Sequence, residues 1–192
     1  MSSGHEQFLM LKMVLIGDPA VGKTSLRRKY LGQSFVHSHL ATIGVDFAQK
    51  YVFMPGYRIR LVLWDLAGQQ GYESVRRHYY QGCSAIVLVY AVDDRRSFDS
   101  SSKWLVEAHK YMKHSFPPVA ILANKVDLRD HIPKEELVST EEGEAFTETF
   151  KEKLGVQVIY RETSALSGEN VLEVFNTLTK NVVDTYFCSR HK

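Results

Sequence analysis

A glycine-rich stretch near the N-terminus constrains the fold of this chain more than any other feature. The segment GDPAVGKT, residues 17–24, directly follows the apolar run FLMLKMVLI at residues 8–16. The spacing G-x-x-x-x-G-K-T between a predicted strand and a predicted helix is typical of a phosphate-binding loop. Because glycine makes up only about 7% of an average protein, this spacing seldom arises by chance. The alternative is an ordinary strand-to-helix turn with a solvated lysine.

The composition is that of one globular domain. The 192 residues carry 24 lysines and arginines against 22 acidic residues, so a net charge of +2 gives the whole surface no pull toward nucleic acid or anionic lipid. Two distant cysteines, Cys83 and Cys188, argue against a disulfide framework or a cysteine zinc site and favour a reducing compartment. A cytoplasmic location is therefore expected. Glu6 ahead of the first apolar run and Lys12 inside it argue against a signal peptide or a membrane-spanning helix.

Six apolar segments, most of them rich in β-branched residues, predict strands. They cover residues 8–16, 45–54, 57–64, 84–92, 118–124 and 156–160. Helices are predicted at residues 23–31, 97–113, 140–154 and 169–187, with a weaker one after Gly71. The turn dipeptide Pro55-Gly56 predicts an antiparallel hairpin, whereas helix-length separations predict parallel pairing elsewhere. The chain is therefore expected to form a three-layer α/β fold with a six-stranded, mostly parallel sheet, one antiparallel strand and about five helices.

Sheets of this kind bind ligands at the carboxyl ends of their strands, where the following loops converge. In the first loop, backbone amides and a helix N-terminus would face the phosphates, Lys23 would span the terminal ones, and the Thr24 hydroxyl would hold Mg²⁺. The residues predicted to contact the nucleotide here are Gly17, Ala20, Val21, Gly22, Lys23, Thr24 and Ser25. The expected ligand is a nucleoside triphosphate or diphosphate.

The segment LVLWDLAGQ predicts the magnesium and γ-phosphate side of the same site. Asp65 lies just past a predicted strand, where a carboxylate can support Mg²⁺ through a bound water. The Gly68 amide would reach a γ-phosphate oxygen, and Gln69 can orient a water for in-line attack. Taken alone, Asp65 and Gly68 could equally form a turn at a strand end, and Gln69 could be a solvated loop residue.

The segment ILANKVD predicts recognition of the base. Asn124, Lys125 and Asp127 follow another strand, and a carboxylate there can accept two hydrogen bonds, from guanine N1–H and its N2 amino group. Adenine offers neither donor at that edge, so a desolvated Asp127 would reject it by about 10⁴-fold or more. Lys125 can lay its stem over the purine plane. By itself this pattern could also be an exposed turn.

Taken together, these motifs resemble those of the small GTPases of the Ras superfamily, most closely the Rab branch. The phosphate loop, WDLAGQ, NKVD and ETSA occur in the family's order, and the resemblance covers about residues 9–187. It implies the P-loop GTPase (G-domain) fold, with residues 1–8 as a short extension and residues 188–192 as a tail. The implied ligands are GTP or GDP with Mg²⁺, and the implied activity is slow hydrolysis of GTP in which Gln69 and Lys23 take part.

The resemblance adds site residues that no single motif supplies. Thr42 is similar to the threonine that binds Mg²⁺ and the γ-phosphate, and Phe35 to the aromatic residue that stacks on guanine. Ser164, Ala165 and Leu166 would lie at the base, with the Ala165 amide meeting O6. Phe35 as a core aromatic and Thr42 as the first residue of a strand remain the alternatives.

The resemblance also implies partners. Phe47, Trp64 and Tyr79 match the aromatic triad that links the two switches to effectors, although simple core packing is compatible with the same residues. Exchange factors and activating proteins are expected to act on switch I around Thr42 and on switch II over residues 68–79. The protein is expected to be a monomer that regulates vesicle or membrane traffic.

Several residues depart from the Rab pattern. Pro19 and Ala20 replace a small residue and a glycine, and proline fixes φ and lacks an amide donor, which affects the expected hydrolysis rate. Leu166 replaces a base-stacking lysine. The tail YFCSRHK fits no prenylation pattern, so no lipid anchor is expected from this sequence. A nucleotide-binding module with little hydrolysis and an ATP-using P-loop kinase are the competing hypotheses.

Overall fold

A six-stranded sheet organises the part of the chain that the structure, a computed structural model, describes: residues 6–35, 42, 44–67, 73–112 and 116–186. Its strands are β1 (Gln7–Ile16), β2 (Val45–Met54), β3 (Tyr57–Leu66), β4 (Ala85–Ala91), β5 (Val119–Asn124) and β6 (Val158–Thr163). They lie in the order β2-β3-β1-β4-β5-β6. The pair β2–β3 is antiparallel and all other pairs are parallel, as predicted.

The hairpin between β2 and β3 turns at Gly56, which has φ 80°, a conformation that glycine adopts without strain. The sixth strand begins two residues later and ends three residues later than the sequence predicts. Its last residues, Glu162 and Thr163, are therefore part of the sheet, and the loop that was expected to contact the base begins at Ser164.

The helices are α1 (Lys23–Tyr30), α2 (Glu73–Tyr80), α3 (Arg95–Asp99), α4 (Ser101–Tyr111), α5 (Thr140–Leu154) and α6 (Val171–Tyr186). The single helix predicted over residues 97–113 consists of α3 and α4, which abut at Ser100. The prediction of about five helices is thus confirmed, and one of the five is divided at Ser100. A capping box of Ser139 and Glu142 begins α5, and Gly155 ends this helix with φ 62°.

Helices cover both faces of the sheet and bury two hydrophobic cores. One core packs α1 and α6 against β1, β3, β4 and β5, and the other packs α2, α3, α4 and α5 against the opposite face. The central strands β4 and β5 are buried on both faces, which explains their continuous apolar sequences. The three-layer prediction is confirmed. Over the described residues, we find no helix with the length and apolar character needed to cross a membrane.

Candidate functional site

The predicted site residues lie on loops that leave the same edge of the sheet. Since β1, β3, β5 and β6 run in the same direction, the loops that follow them meet at their carboxyl ends. β1 leads into the glycine-rich loop, β5 into Lys125, and β6 into Ser164. Gly68 and Gln69, which follow β3, lie outside the described residues.

The glycine-rich loop is shaped by close approaches that no side chain would allow. Gly17 has φ 134°, and a Cβ there would lie 2.1 Å from the Val89 carbonyl oxygen of β4. Gly22 has φ 99°, and a Cβ there would lie 2.2 Å from the Asn124 amide nitrogen. Both glycines are therefore required by packing as well as by backbone conformation. Gly22 caps the N-terminus of α1, where unsatisfied amides and the helix dipole favour an anion.

Lys23 closes the loop on itself. Its Nζ donates to the carbonyl oxygens of Gly17 at 2.8 Å and of Asp18 at 2.7 Å, and the side chain is buried. These two bonds hold the ammonium over the loop, where it can meet phosphate oxygens. Val21 is buried beneath the loop, and Ser25 is half-buried in the first turn of α1.

Ala20 shows where the loop departs from an unstrained geometry. Its φ of 61° lies in the left-handed region, which costs a residue with a side chain roughly 1–2 kcal/mol. It is exposed, as is its neighbour Pro19, which has no amide to offer a phosphate.

Three oxygen-bearing side chains converge beside Lys23. The Thr24 hydroxyl lies 2.9 Å from the Thr42 hydroxyl and donates a short hydrogen bond to Asp65 Oδ2. Asp65 is fully buried at the end of β3. Burial raises the pKa of its carboxyl, and the Thr24 hydrogen bond and the Lys23 charge oppose that rise. The three predicted magnesium ligands are thus brought together.

The residues of this cluster fit Mg²⁺. Asp65 Oδ1 is buried and has no hydrogen-bond partner within the described structure, so one carboxylate oxygen remains for a cation or its bound water. Two hydroxyls and one carboxylate are hard oxygen donors, which Mg²⁺ prefers together with phosphate and water. Among the described residues no cluster of three or more His, Cys, Asp or Glu side chains is suited to a metal.

Asn124 joins three of the loops. It is almost fully buried, and its Nδ2 donates to the Val21 carbonyl oxygen at 2.8 Å. Its Oδ1 accepts from Thr163 Oγ1 at 3.3 Å and from the Ala165 amide at 3.2 Å. Asn124 therefore positions the predicted base loop against the phosphate loop, and the Ala165 amide that was expected to meet O6 donates to Asn124 here.

The predicted base-recognition residues are fixed by their neighbours. Lys125 has φ 67°, and its Nζ lies 3.1 Å from a carboxylate oxygen of Asp93. Asp127 accepts a hydrogen bond of 2.5 Å from the Ser164 hydroxyl, which orients the carboxylate. Leu166 is 46% exposed, in the place where the resemblance leads one to expect a lysine stem.

Lys29 of α1 holds the base loop from the other side. Its Nζ donates to the Leu166 carbonyl oxygen at 3.1 Å. Phe35 is half-buried and packs against the core beneath α1 and α6, so its stacking on a base stays a prediction.

The aromatic triad forms a continuous surface. The rings of Phe47 and Trp64 lie 5.6 Å apart and those of Trp64 and Tyr79 lie 5.3 Å apart, measured between centroids. Phe47 is 66% exposed, whereas Trp64 and Tyr79 also pack against the core beneath α2 and α4. Core packing therefore holds for Trp64 and Tyr79, and the role of the triad in binding effectors stays a prediction.

Sequence reasoning missed three polar contacts around the loop. Asp18 Oδ1 accepts from Trp104 Nε1 at 2.7 Å and its Oδ2 accepts from Ser100 Oγ at 2.6 Å. Arg27 of α1 is buried and forms an ion pair with Asp46 of β2. The burial of Arg27 and the identity of its partner depend on how α1 packs on the sheet, so the sequence pattern showed neither.

The chain matches the model of the Ras family over residues 12–184. It is 35% identical to the Ras-related protein RABD2c of Arabidopsis thaliana over 88% of this chain and 79% of that protein. It is 38% identical to the Ras-related protein RGP2 of Oryza sativa subsp. japonica, over 93% of this chain and 77% of the relative. The GTP-binding protein ypt2 of Schizosaccharomyces pombe is 34% identical over 90% of this chain and 81% of its own length.

Ras-family proteins bind guanine nucleotides, generally with Mg²⁺, and interact with regulators and effectors. The fold, the glycine-rich loop and the convergence of the predicted site residues agree with these matches. The chain thus belongs to the Ras family and is a Rab-like small GTPase, a hydrolase of GTP.

Proposed function

We propose that this protein is a magnesium-dependent guanine-nucleotide switch whose nucleotide lies across the loops that follow β1, β3, β5 and β6. The observation that carries the proposal is the network around Asn124, which ties the phosphate loop to the base loop through hydrogen bonds of 2.8 and 3.2 Å. A single buried side chain thereby fixes the distance between the predicted phosphate-binding and base-binding positions.

The phosphates would be bound by the amides of the glycine-rich loop and by the Lys23 ammonium. Lys23 is already oriented by the Gly17 and Asp18 carbonyl oxygens, so little side-chain entropy is lost when phosphate binds. Thr24, Thr42 and Asp65 would hold Mg²⁺, which supplies positive charge against the charge that develops on the transferred phosphoryl group. Thr42 would bind only when switch I is closed over the γ-phosphate, which couples nucleotide state to the shape of the surface.

Hydrolysis would require a water aligned with the γ-phosphate. Gln69 is the residue proposed to orient that water, and the Gly68 amide is proposed to contact a γ-phosphate oxygen. No internal arginine is assigned to the transferred phosphoryl group, so an activating protein that supplies one would raise the rate by roughly 10³ to 10⁵.

Selectivity for guanine would rest on Asp127. The Ser164 hydroxyl donates to one carboxylate oxygen of Asp127, and this holds the carboxylate in one orientation. The carboxylate can then accept from guanine N1–H and the N2 amino group together, whereas adenine leaves it unpaired. Lys125, held by Asp93, would lie along the purine plane.

The cellular role follows from the Rab-type relatives. We propose that switch I, switch II and the Phe47–Trp64–Tyr79 triad bind effectors, exchange factors and activators in vesicle or membrane traffic, and that the protein acts as a monomer in the cytoplasm. The exposed Phe47 ring beside Trp64 supports this, because aromatic residues dominate the energetics of protein interfaces.

Two measurements test the proposal. Nucleotide-depleted protein should bind fluorescent GDP at micromolar or lower concentration with Mg²⁺ present, and GTP but not ATP should displace it. Asp127→Asn keeps the side-chain shape and removes the charge, so it should weaken GDP binding by at least about tenfold. Displacement by ATP would contradict the assignment of Asp127.

Single-turnover hydrolysis of GTP tests the enzymatic step. Wild-type protein should release phosphate slowly, and Gln69→Leu should release it more slowly at unchanged GTP affinity. Binding without any phosphate release from the wild type would instead indicate a module that switches by exchange alone.

A further inference from the structure

The amino-terminal half of β1 and β3, with the paired end of β2, carries an exposed face that has no role in nucleotide binding. On this face Arg58 lies between Phe53 of β2 and Phe8 of β1, and Arg60 lies between Tyr51 and Met10. We call these six residues the arginine ladder. The strands point these side chains away from the core that packs under α1 and α6, and the next two rows lead to Trp64 and Phe47 of the aromatic triad.

The apolar members of the ladder are unusually exposed. Phe8 is 58% exposed, Met10 and Phe53 are each 66% exposed, and Tyr51 is 45% exposed. Isolated exposed apolar side chains are common, but adjacent ones in register form a continuous patch, and such patches mark interaction sites. The patch lies at the end of the strands away from the nucleotide loops.

Within β1, β2 and β3 the charges on this face are of one sign, and Glu6 lies just before β1. Lys12, Arg58 and Arg60 are its cations, and over the described residues of β1, β2 and β3 the strand alternation places no carboxylate on this side. Asp46 and Asp65 belong to the opposite side. A partner that binds this face is therefore expected to carry carboxylates together with apolar groups.

The arginines are held in a geometry that suits carboxylates. The Arg58 guanidinium lies 5.0 Å from the centroid of the Tyr51 ring and 6.0 Å from that of Phe53. Arg60 Nε donates to Gln49 Oε1 at 2.8 Å. A guanidinium oriented in this way can donate two parallel hydrogen bonds to a planar carboxylate. This geometry distinguishes the arginine ladder from the lysine-rich surfaces that bind lipid headgroups. Enrichment in aromatic residues, methionine and arginine is also the composition of protein interface cores.

The dimensions of the face match one helix. Strands lie about 4.8 Å apart, so a row of three spans about 10 Å, which is the diameter of an α-helix. Rows repeat about every 6.7 Å, so the three rows from Phe53 to Gln49 cover about 13 Å, or roughly nine helical residues. The next row is partly covered, because Val14 is fully buried. Farther along the same face, α2 and α4 of this chain cover the sheet, and a partner helix would continue their layer.

We propose that the arginine ladder binds an amphipathic helix of a protein partner, with apolar residues in one stripe and Asp or Glu residues flanking it. The apolar stripe packs on Phe8, Met10, Tyr51 and Phe53, and the flanking carboxylates pair with Arg58 and Arg60. Because the ladder adjoins the aromatic triad, a helix longer than the ladder would also contact the switch-linked rings.

The test is a peptide selection with matched charge reversals. A random peptide library of about 16 residues per member is selected on immobilised GDP-loaded protein and counter-selected on R58E–R60E. The control is R96E–K103E, which makes the same change in net charge at exposed positions of α3 and α4. Enriched peptides are then synthesised, and their affinities are measured by fluorescence anisotropy.

We expect enriched peptides with apolar residues at helical spacing and flanking carboxylates. They should bind R58E–R60E at least about tenfold more weakly than wild type and bind the control as wild type does. Phe53→Ser should weaken binding by a similar factor. Because this variant keeps both arginines, it shows whether the loss in R58E–R60E comes from the ladder or from misfolding of that variant. GDP affinity should be unchanged in all variants, since the ladder is remote from the nucleotide loops, so a failure here is distinguishable from a failure of the nucleotide assignment.

Three results would overturn the proposal. The first is the absence of enrichment over the counter-selected variant, or enrichment of peptides without carboxylates. The second is ladder-dependent binding to phosphatidylserine vesicles with no peptide enrichment, which would make the face a membrane contact. The third is a dimer in light scattering that R58E–R60E dissociates, which would assign the face to a second copy of the chain.

Discussion

Replacement of Arg27 by methionine should make the protein more stable, although it removes an ion pair. The Arg27 side chain is 5% exposed and pairs through Nη2 with Asp46, whose side chain is 58% exposed. The other two nitrogens of the guanidinium, Nε and Nη1, are buried and have no hydrogen-bond partner within the described structure. The pair thus keeps a cation out of water while its partner remains largely in water.

The expected magnitude follows from these contacts. Each buried donor without a partner costs about 1–3 kcal/mol, and there are two of them. An ion pair with a mostly solvated partner contributes about 0–1 kcal/mol. Methionine keeps the apolar stem, and Asp46 returns to water without leaving a buried charge. These terms together give a rise in the free energy of unfolding of about 1–6 kcal/mol. Replacement of other buried ion pairs by apolar side chains raises it by about 1–4 kcal/mol, so a rise of about 1–4 kcal/mol is expected here.

Urea unfolding of both proteins at a fixed excess of GDP and Mg²⁺ measures the difference, since bound nucleotide stabilises the folded state by mass action. Asp46→Asn is the informative counterpart, because it leaves the guanidinium buried and unpaired and should cost about 2–4 kcal/mol. A loss of stability in Arg27→Met would show that the pair stabilises the fold. No effect of Asp46→Asn would show that the Asp46 charge does not compensate the buried guanidinium, and either result would refute the reasoning.

Four further substitutions test the backbone and the helix cap. Ala20→Gly should raise the free energy of unfolding by up to about 1 kcal/mol, because φ at this position is 61°, and the same urea titration measures it. Gly17→Ala should prevent stable folding, since its Cβ would lie 2.1 Å from a carbonyl oxygen of Val89; Gly56→Ala, with open space and φ 80°, should cost only about 1 kcal/mol. The Arg95 ion pair and the capping box lower the pKa of Glu142 to about 2. The Glu142 carboxylate therefore stabilises the fold fully at pH values above the usual glutamate pKa, and this stabilisation is lost as the pH falls toward 2. Glu142→Gln should have the urea midpoint of the wild type at pH 2 and a lower one at pH 6.

Most of the sheet could be predicted because its strands carry their signal locally. The central strands β4 and β5 are buried on both faces, so their sequences are short, continuous apolar runs, which are typical of buried strands. The interruption of the third predicted helix at Ser100 was not predictable in the same way. Serine is tolerated inside helices, and the hydrogen bond that Ser100 donates to Asp18 of a distant loop is not visible in the local sequence.

Some residues of the candidate site could likewise be predicted from local sequence, and others could not. Lys23, Thr24 and Asp65 could be identified because their chemistry is tied to fixed spacing within short motifs. The hydrogen bonds of Asn124 to two other loops could not, since they depend on how the strands order in the sheet. The resemblance to a family indicated which residues belong together, and the structure supplied the contacts that hold them there.

Asp18 illustrates why the shape of the phosphate loop depends on residues outside the motif. Both of its carboxylate oxygens are held by one helical segment, at 2.6 Å by Ser100 and at 2.7 Å by Trp104, which lies one turn later. Its backbone carbonyl oxygen in turn receives Lys23 Nζ at 2.7 Å. Trp104 is itself 7% exposed in the core beneath α2 and α4. The position of the lysine that would meet the phosphates is therefore set by the packing of a helix some eighty residues farther along the chain. The motif provides the chemical groups, and the helical layer behind it fixes where they lie.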